Sequence, residues 1–512
     1  MINVAELVPA RTYAGWQHEK VHFLLGLSGR RAALVGMAVF LGLQPIVSGR
    51  LAGALLLWPL ALTLATCAYA RVAGRTLDEW MITVVSYNLL KTRRKNIFLS
   101  GAFAPGRGIE PPRLDLPGVL APLRILTAHD GIGTEIAVLH HPHSHNYTAV
   151  ASVDCAGLGL LDPDRAEARV RAWGELLASL CTEDQPIARV QFVSRTVPQT
   201  AGALRTWHTD HLDPAAPLAS VMANEALLTA AAPATCLRQT WLTISLDARR
   251  AATAIRAVGG GEAGACRVLE QHVRALRPLL AGAGLEMTHW LDVPELAEVI
   301  RTGFDPHAAA LLDRRRAEAD DQIARGGTPA VPSGVHESLA GPSMAEASWS
   351  SYRHDGAVSA TYAVHAWPLS PVYATALASM LADATHRRSF SFVIEPLGPR
   401  AAQKAVMVER TKRDVGIRLR ARTGQAVSAA EQVALDRAAA QDTEHAHGSG
   451  LCRFTGYLTV TVDEPTELSD AGAQAEAGAA LVGIELRRMY GAQDTGFAMT
   501  LPVGLGLPAK RW

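Results

Sequence analysis

Net charge is almost absent from this sequence. Lys and Arg number 49 against 48 Asp and Glu, a formal charge of +1, so no global field draws the chain to nucleic acid or to an acidic partner. Charged residues of both signs reach only 19%, low for a water-soluble protein of this length. Cysteine is scarce as well. The six (Cys67, Cys155, Cys181, Cys236, Cys266, Cys452) form no CxxC pair, which excludes a zinc ribbon and a disulfide framework and fits a reducing compartment. No GxxxxGK[ST], HExxH or GxSxG occurs, so there is no phosphate loop, helical zinc-hydrolase motif or nucleophile elbow. The run Gly259-Gly260-Gly261-Glu262-Ala263-Gly264 lacks the Lys and hydroxyl residue a phosphate site needs and reads as a loop ahead of a helix.

Apolar surface is plentiful instead. Hydrophobic residues are 49% of 512 and mean hydropathy is +0.10. Residues 32–48 carry no formal charge, Gly49-Arg50 interrupts, and residues 51–70 are again uncharged. A bilayer-spanning helix needs about 20 apolar residues, with about 17–25 workable, so the two runs predict a two-helix transmembrane hairpin over 32–70. Arg11, Lys20, Arg30 and Arg31 precede it; Arg71 and Arg75 follow, and only Arg50 lies in the turn. The excess of basic residues at the outer ends predicts a two-pass protein of the inner (plasma) membrane with both termini cytoplasmic. Leu77, Trp80, Met81, Val84 and Tyr87 then fall at helical spacing. They predict an amphipathic helix ending at the basic cluster Lys91, Arg93, Arg94 and Lys95, placed either along anionic headgroups or packed on the following domain.

The remainder reads as two copies of one unit. In the first, 147–153 is a strand, 164–181 a helix, 187–197 a strand ending at Pro198, and the Ala-rich stretch to 234 helical. Strand 237–246, helix 266–280 and strand 285–290 close it. In the second, strand 359–366, helix 372–382 and strand 389–395 (ending at Pro396) precede helices 400–413 and 428–445. Arg418-Leu419-Arg420 and Gly424 stand between those helices; strand 454–462, helix 469–481 and strand 482–486 follow. Two split βαβ units, each with a helical insertion, predict an α+β protein of two tandem ferredoxin-like domains. The expected organisation is a cytoplasmic segment 1–31, the hairpin 32–70, a juxtamembrane segment 71–112, a first domain 113–323, a Gly/Pro/Ser-rich linker 324–348 and a second domain 349–512.

Few residues bear chemistry. His140, His141, His143 and His145, with His129 upstream, are the densest imidazole cluster and weak candidates for a metal site. Pro142 and Ser144-His145-Asn146 mark the turn of a hairpin between 136–139 and 147–153, where neighbouring side chains face opposite ways, so no metal or other cofactor is expected. Asp162 and Asp164 could be the paired carboxylates of a membrane-bound glycosyltransferase-like enzyme, but Asp-Pro-Asp at the start of a helical pattern is a capping signature. Asp442, Glu444, His445 and His447, ahead of Gly448-Ser449-Gly450, suit a helix C-terminus. Arg410, Lys412, Arg413, Arg418, Arg420 and Arg422 at the tip of the second helical insertion are candidates for docking a partner.

Three groups of residues carry family resemblances. Arg11-Thr12-Tyr13, Gly15-Trp16, Leu116-Pro117-Gly118 and Asp130-Gly131-Ile132-Gly133, together with the hairpin, resemble a family of actinobacterial integral membrane proteins encoded with conjugation or secretion machinery, over most of the first 310 residues. Two helices followed by a cytoplasmic α+β domain also resemble EccE, a membrane component of type VII secretion systems. Tyr362-Ala363-Val364, Trp367-Pro368 and Leu501-Pro502-Val503-Gly504 are similar to the amino-terminal, non-motor half of the type IV secretion and conjugation ATPase. With no phosphate loop, the resemblance implies a scaffold without an engine. It would be a non-enzymatic, membrane-anchored component of an oligomeric secretion or conjugation machine, contacting other membrane subunits, the lipid bilayer and a separate motor ATPase, with no direct nucleic-acid binding.

Overall fold

Side chains alternate along the strands, and this alternation decides which face of the sheet each residue reaches. The computed structural model describes residues 12–13, 29–49, 54–72, 75–104, 114–129, 133–155, 157, 161–198, 207–231, 236–327, 334–368, 370–381, 385–422, 436, 439–440, 443 and 450–506. They divide into two compact units. One holds Met1–Trp16, Lys95–Gly398 and Cys452–Trp512, the other Gln17–Arg94 and Pro399–Leu451.

The first unit contains a 13-stranded sheet. Its strands are β1 (Ile97–Leu99), β2 (Arg124–His129), β3 (Glu135–His141), β4 (Asn146–Cys155), β5 (Ile187–Pro198), β6 (Cys236–Asp247) and β7 (Leu285–Trp290). The rest are β8 (Met344–Ala347), β9 (Tyr352–His354), β10 (Ala357–Ala366), β11 (Arg387–Leu397), β12 (Leu451–Val462) and β13 (Glu485–Arg488). The order is β1-β8-β9-β10-β12-β11-β5-β6-β4-β3-β2, with β7 on β4 and β13 on β10. Helices α4 (Pro163–Ser179), α5 (Leu218–Ala231), α6 (Gly261–Gly282), α7 (Val293–Phe304) and α8 (Ala308–Ala324) belong to the first half, and α10 (Leu468–Leu481) and α11 (Gln493–Met499) to the second.

The two halves repeat one order. Each opens with a three-strand antiparallel meander, β2-β3-β4 and β8-β9-β10. Four strands then stand as β7-β4-β6-β5 in one half and β13-β10-β12-β11 in the other. After its last strand each half places a helix on the short turn opening the other half: α7 on Glu337–Leu339, and α11 on Gly118–Leu120. β5 and β11, which occupy equivalent places, pair antiparallel from Arg388↔Thr196 to Ile394↔Val190. The tandem domains expected from the sequence therefore share one continuous sheet.

Burial follows the alternation. Ile136, Val138, Ala149, Ala151, Val190, Leu242 and Ile244 pack with Leu176 of α4 and Val268, Leu269 and Leu276 of α6. In the second half, Val358, Ala360, Tyr362, Leu458 and Val460 pack with Leu468, Ala471, Ala475 and Ala479 of α10. On the opposite face the halves share one core, in which Leu139, Val150, Val193 and Trp241 meet Leu296, Ile300 and Phe304 of α7, Tyr352, and Phe497, Leu501 and Val503 from the end of the chain. α7 is fixed by a capping box: Asp292 Oδ1 accepts from the Glu295 amide at 2.8 Å, and Glu295 Oε2 accepts from the Asp292 amide at 3.1 Å.

Several expectations are corrected. The helix expected at 372–382 is a two-residue strand, Val372–Tyr373, paired with Thr12–Tyr13, and a one-turn helix, Ala378–Leu381. Pro371 and the β-branched, aromatic pair after it oppose helix and favour an extended chain. Met344–Ala347 lies inside the stretch read as a linker and pairs with β1 and β9. In the second unit, α9 (Pro399–Arg422) runs unbroken through Arg418-Leu419-Arg420, because one internal Gly416 costs a helix only about 1 kcal/mol. Most of 428–445, with Gly424, Asp442, Glu444, His445 and His447, lies outside the described residues, as do Arg11, Gly15, Trp16, Lys20, Arg50 and Asp130-Gly131-Ile132.

The second unit also holds the apolar hairpin. Helices α1 (Gly29–Val47) and α2 (Ala54–Tyr69) pack on each other, and Trp58 Nε1 donates to the Gly42 carbonyl at 3.2 Å. With 19 and 16 residues at about 1.5 Å per residue they extend roughly 28 and 24 Å, against a hydrocarbon core of about 30 Å. Among the described residues no helix is long and apolar enough to cross a membrane, so the fold does not show the two crossings expected from the sequence. α3 (Leu77–Thr92) forms where an amphipathic helix was expected. Leu77, Trp80, Val84 and Tyr87 are half-buried along one stripe while Met81 is exposed, as are Ile82, Val85, Leu89 and Leu90, so its apolar side chains are not confined to one face.

The shared seam has a direct consequence. Residues 113–323 expressed alone should aggregate through the unpaired β5 edge, and co-expression with 349–512 should yield a soluble 1:1 complex, read by size-exclusion chromatography with light scattering. A stable monomer of 113–323 alone would contradict the seam.

Candidate functional site

Where β5 meets β11, alternate positions of both strands carry polar side chains on the shared-core face, an unusual place to put them. Gln191, Val193 and Arg195 of β5 stand opposite Val393, Ser391 and Ser389 of β11, and beyond the paired stretch Arg189 meets Glu395 through its side chain. The end of the chain, 499–504, lies over this row and supplies its partners. Gln191 Nε2 donates to the carbonyls of Met499 (3.0 Å) and Leu501 (2.9 Å) and to Ser391 Oγ (2.9 Å). Its Oε1 accepts from the Gly504 amide at 2.9 Å. Arg189 Nη1 donates to the Gly504 carbonyl at 2.6 Å and its Nη2 pairs with Glu395 Oε1 at 3.0 Å; Arg453 of β12 adds a contact to Glu395 Oε2 at 3.4 Å.

Glycine is required at 504. Its φ is +67°, and a Cβ there would sit 2.5 Å from Ser245 Oγ and 2.7 Å from Thr148 Cγ2. Further buried hydroxyls continue the row: Thr148 with Ser245 and Thr361 with Thr459, each at 2.8 Å, and Thr459 with Thr500 at 2.8 Å. Arg195, 1% exposed, donates to Thr302 Oγ1 (3.1 Å) and the Val299 carbonyl (3.3 Å) at the end of α7 and stacks over Trp241. Arg387 donates to the Thr302 carbonyl. Both cations meet the negative end of the helix dipole, and burial holds the pKa of each below its ordinary value, that of Arg387 to about 10. This arrangement binds the halves together: most of its polar groups pair with one another, while Arg195 Nε is left without a hydrogen-bond partner.

The four clustered histidines do not converge. His141 is buried and its Nε2–H donates to the Val503 carbonyl at 2.9 Å, which fixes the tautomer. His140 stacks on Tyr147 with ring centroids 4.4 Å apart, and its Nδ1 lies 3.4 Å from Glu262 Oε1; burial, the larger influence, still lowers its pKa. His143 and His145 are exposed on the turn, where His145 takes a φ of +55°. Among the described residues no three His, Cys, Asp or Glu lie close enough together to hold a metal ion. Asp162 and Asp164 are exposed at the start of α4, Asp162 in the N-cap position without a side-chain cap bond. The glycosyltransferase-like alternative therefore finds no site in the described residues. Lys91, Arg93, Arg94 and Lys95 are exposed at the end of α3 and the turn after it. Arg410 and Arg418 are exposed on α9; the side chains of Lys412, Arg413, Arg420 and Arg422 lie outside the described set.

A second buried imidazole was not singled out from the sequence. His354, fully buried on β9, meets the Phe304 carbonyl through Nδ1 and Ser359 Oγ through Nε2 at 2.7 Å, and Ser359 Oγ meets Thr461 Oγ1 at 2.8 Å. No sequence signal marks it, because its partners, the Phe304 carbonyl at the end of α7 and Ser359 on β10, are brought to it only by the fold.

Two measurements test the seam. Gln191→Leu removes the partners of two carbonyls and one amide, each worth about 1–3 kcal/mol when left buried and unpaired; urea denaturation should show a loss of at least about 2 kcal/mol, and Gly504→Ala a comparable loss. His141 and His354 have pKa values lowered to about 4, chiefly by burial. The unfolded chain therefore takes up protons first, and stability should fall as pH drops from about 6.5 to about 4, by roughly 3 kcal/mol per histidine, and level off below. Equal midpoints at pH 7.5 and 4.5 would refute this.

Residues 234–364, about a quarter of the chain running from β6 through β10, match the model of the EccE family, described as "Putative type VII ESX secretion system translocon, EccE". No curated protein matches the chain. The matched stretch crosses from the first half of the sheet into the second and includes α6, α7 and α8. Over that stretch the chain is similar to EccE, a component of a secretion translocon.

Proposed function

We propose that this protein is a non-enzymatic, membrane-anchored structural component of a type VII-like secretion translocon in the inner membrane. The similarity to EccE over residues 234–364 carries this reading. The buried polar side chains Arg189, Gln191 and Glu395 are engaged in joining the two halves, which suits a structural part.

The hairpin supports membrane anchoring. Phe40, Ile46, Leu55, Leu56 and Leu62 are more than half exposed, Leu55 by 85%, an apolar surface that water-facing helices do not carry. In sequence the apolar run continues through Leu51-Ala52-Gly53, enough with some bilayer thinning for two crossings. The basic residues at the outer ends of the hairpin, with Lys91, Arg93, Arg94 and Lys95 beyond α3, favour a cytoplasmic location for both termini. We also read residues 113–323 and 349–512, the latter together with β8 (Met344–Ala347), as two copies of a ferredoxin-like split βαβ unit. The matching strand orders support this. We further read the second copy, from Tyr362-Ala363-Val364, Trp367-Pro368 and Leu501-Pro502-Val503-Gly504, as related to the non-motor half of a conjugation ATPase, which makes a separate motor ATPase the natural partner, with Arg410, Lys412, Arg413, Arg418, Arg420 and Arg422 as the docking element within a larger assembly.

Alkaline carbonate washing of membranes tests the anchor. The full chain should stay in the pellet and a variant lacking residues 29–72 should be released; release of the full chain would end the anchoring reading. Purification in mild detergent should retain a motor ATPase, and charge reversal at Arg410 and Arg418 should weaken its retention severalfold. Nucleotide hydrolysis by the purified chain alone would overturn the non-enzymatic assignment.

A further inference from the structure

Cys181 and Cys452 are 271 positions apart in sequence, yet their Sγ atoms lie 3.5 Å from each other. All six cysteines are in the thiol state, and no other two are brought into contact. Cys181 follows the end of α4 in the first half, and Cys452 is the second residue of β12 in the second half. The turn at 182–183 also packs on the end of β11: a Cβ on Gly398 would lie 3.5 Å from both the Thr182 carbonyl and Glu183 Oε2. The two thiols thus meet across the same junction that Arg189, Glu395 and Arg453 hold by charge.

We propose that Cys181 and Cys452 form a redox-sensitive pair that closes to a disulfide under a hydroperoxide oxidant and locks the two halves together. A disulfide needs its sulfurs about 2.05 Å apart, so they must approach by about 1.5 Å. Residues 181–184 form a bend and turn rather than helix or strand, so Cys181 can move without breaking a ladder.

The chemistry follows from the pair's own contacts. The contact with Cys452 Sγ and, after it, the Leu397 backbone hydrogen bond lower the Cys181 pKa against the opposing effect of burial, while the same contact raises that of Cys452. Cys181 is therefore the nucleophile. Its thiolate attacks one peroxide oxygen, the O–O bond breaks, and the departing hydroxide takes a proton to become water, leaving Cys181 as a sulfenic acid. The Cys452 sulfur then attacks Cys181 Sγ, forming the S–S bond, and the sulfenic hydroxyl leaves with the Cys452 proton as a second water. Two thiols lose two electrons in all, and one peroxide becomes two waters. Cys266 is buried and burial raises its thiol to about 11, which makes it a poorer nucleophile than Cys181.

The test uses the full chain in detergent, treated with hydrogen peroxide, alkylated with N-ethylmaleimide and digested without reductant. The expected product is one cross-linked peptide joining residues 181 and 452, lighter by two hydrogens than the two peptides together and separated by dithiothreitol. The oxidised protein should also melt at a higher temperature than the reduced one, since the bridge closes a long loop in the unfolded chain. Cys452→Ser should trap Cys181 as a sulfenic acid reactive with dimedone. Separate alkylation of residues 181 and 452 after a peroxide dose that oxidises other cysteines, or a bridge from either to a third cysteine, would overturn the proposal.

Discussion

The pairing of β5 with β11 is the contact on which the rest of the large unit depends. Seven residue pairs in register, from Arg388↔Thr196 to Ile394↔Val190, turn two half-sheets into one and remove two open edges that would otherwise invite aggregation. Because both strands alternate, joining them also aligns a polar row on one face, and a buried polar row is stable only when every member has a partner. The end of the chain supplies those partners. The carbonyls of Met499 and Leu501 and both backbone groups of Gly504 meet Gln191 and Arg189. Gly504 can approach so closely only because it has no side chain.

The same logic accounts for the distribution of cores. Each half keeps a private core beneath its own helices, α4 and α6 in one and α10 in the other. Across the sheet lies a core to which both halves contribute, closed by α7, α11 and the terminal segment. The reciprocal docking of α7 and α11 onto the other half's opening turn resembles a dimer interface retained within one chain. Buried cations serve it too: Arg195 and Arg387 accept the cost of desolvation in exchange for the carbonyls that end α7.

The hairpin unit obeys a different solvent rule. Its apolar side chains point outward, and the arrangement is favourable only where something other than water covers them. Between these two regimes lies the similarity to EccE, confined to residues 234–364. It falls wholly within the sheet unit, so the membrane argument rests on the hairpin's own chemistry.

Much of the strand and helix order was legible in sequence. Period-two stretches such as 147–153, 237–246 and 454–462 and the helical spacing of α4 and α6 express local preferences that packing did not override. The capping-box spacing of Asp292 and Glu295 is equally a short-range pattern and marks the start of α7. Sequence alone also determined the apolar hairpin, the basic cluster after α3 and the lack of any phosphate loop, because these depend on composition and short-range pattern. Only tertiary structure decided that two look-alike units share one sheet, that His140, His141, His143 and His145 diverge, and that Cys181 meets Cys452. Each of those joins residues far apart in the chain through edge pairing or shared burial, which leave no periodic trace in either partner.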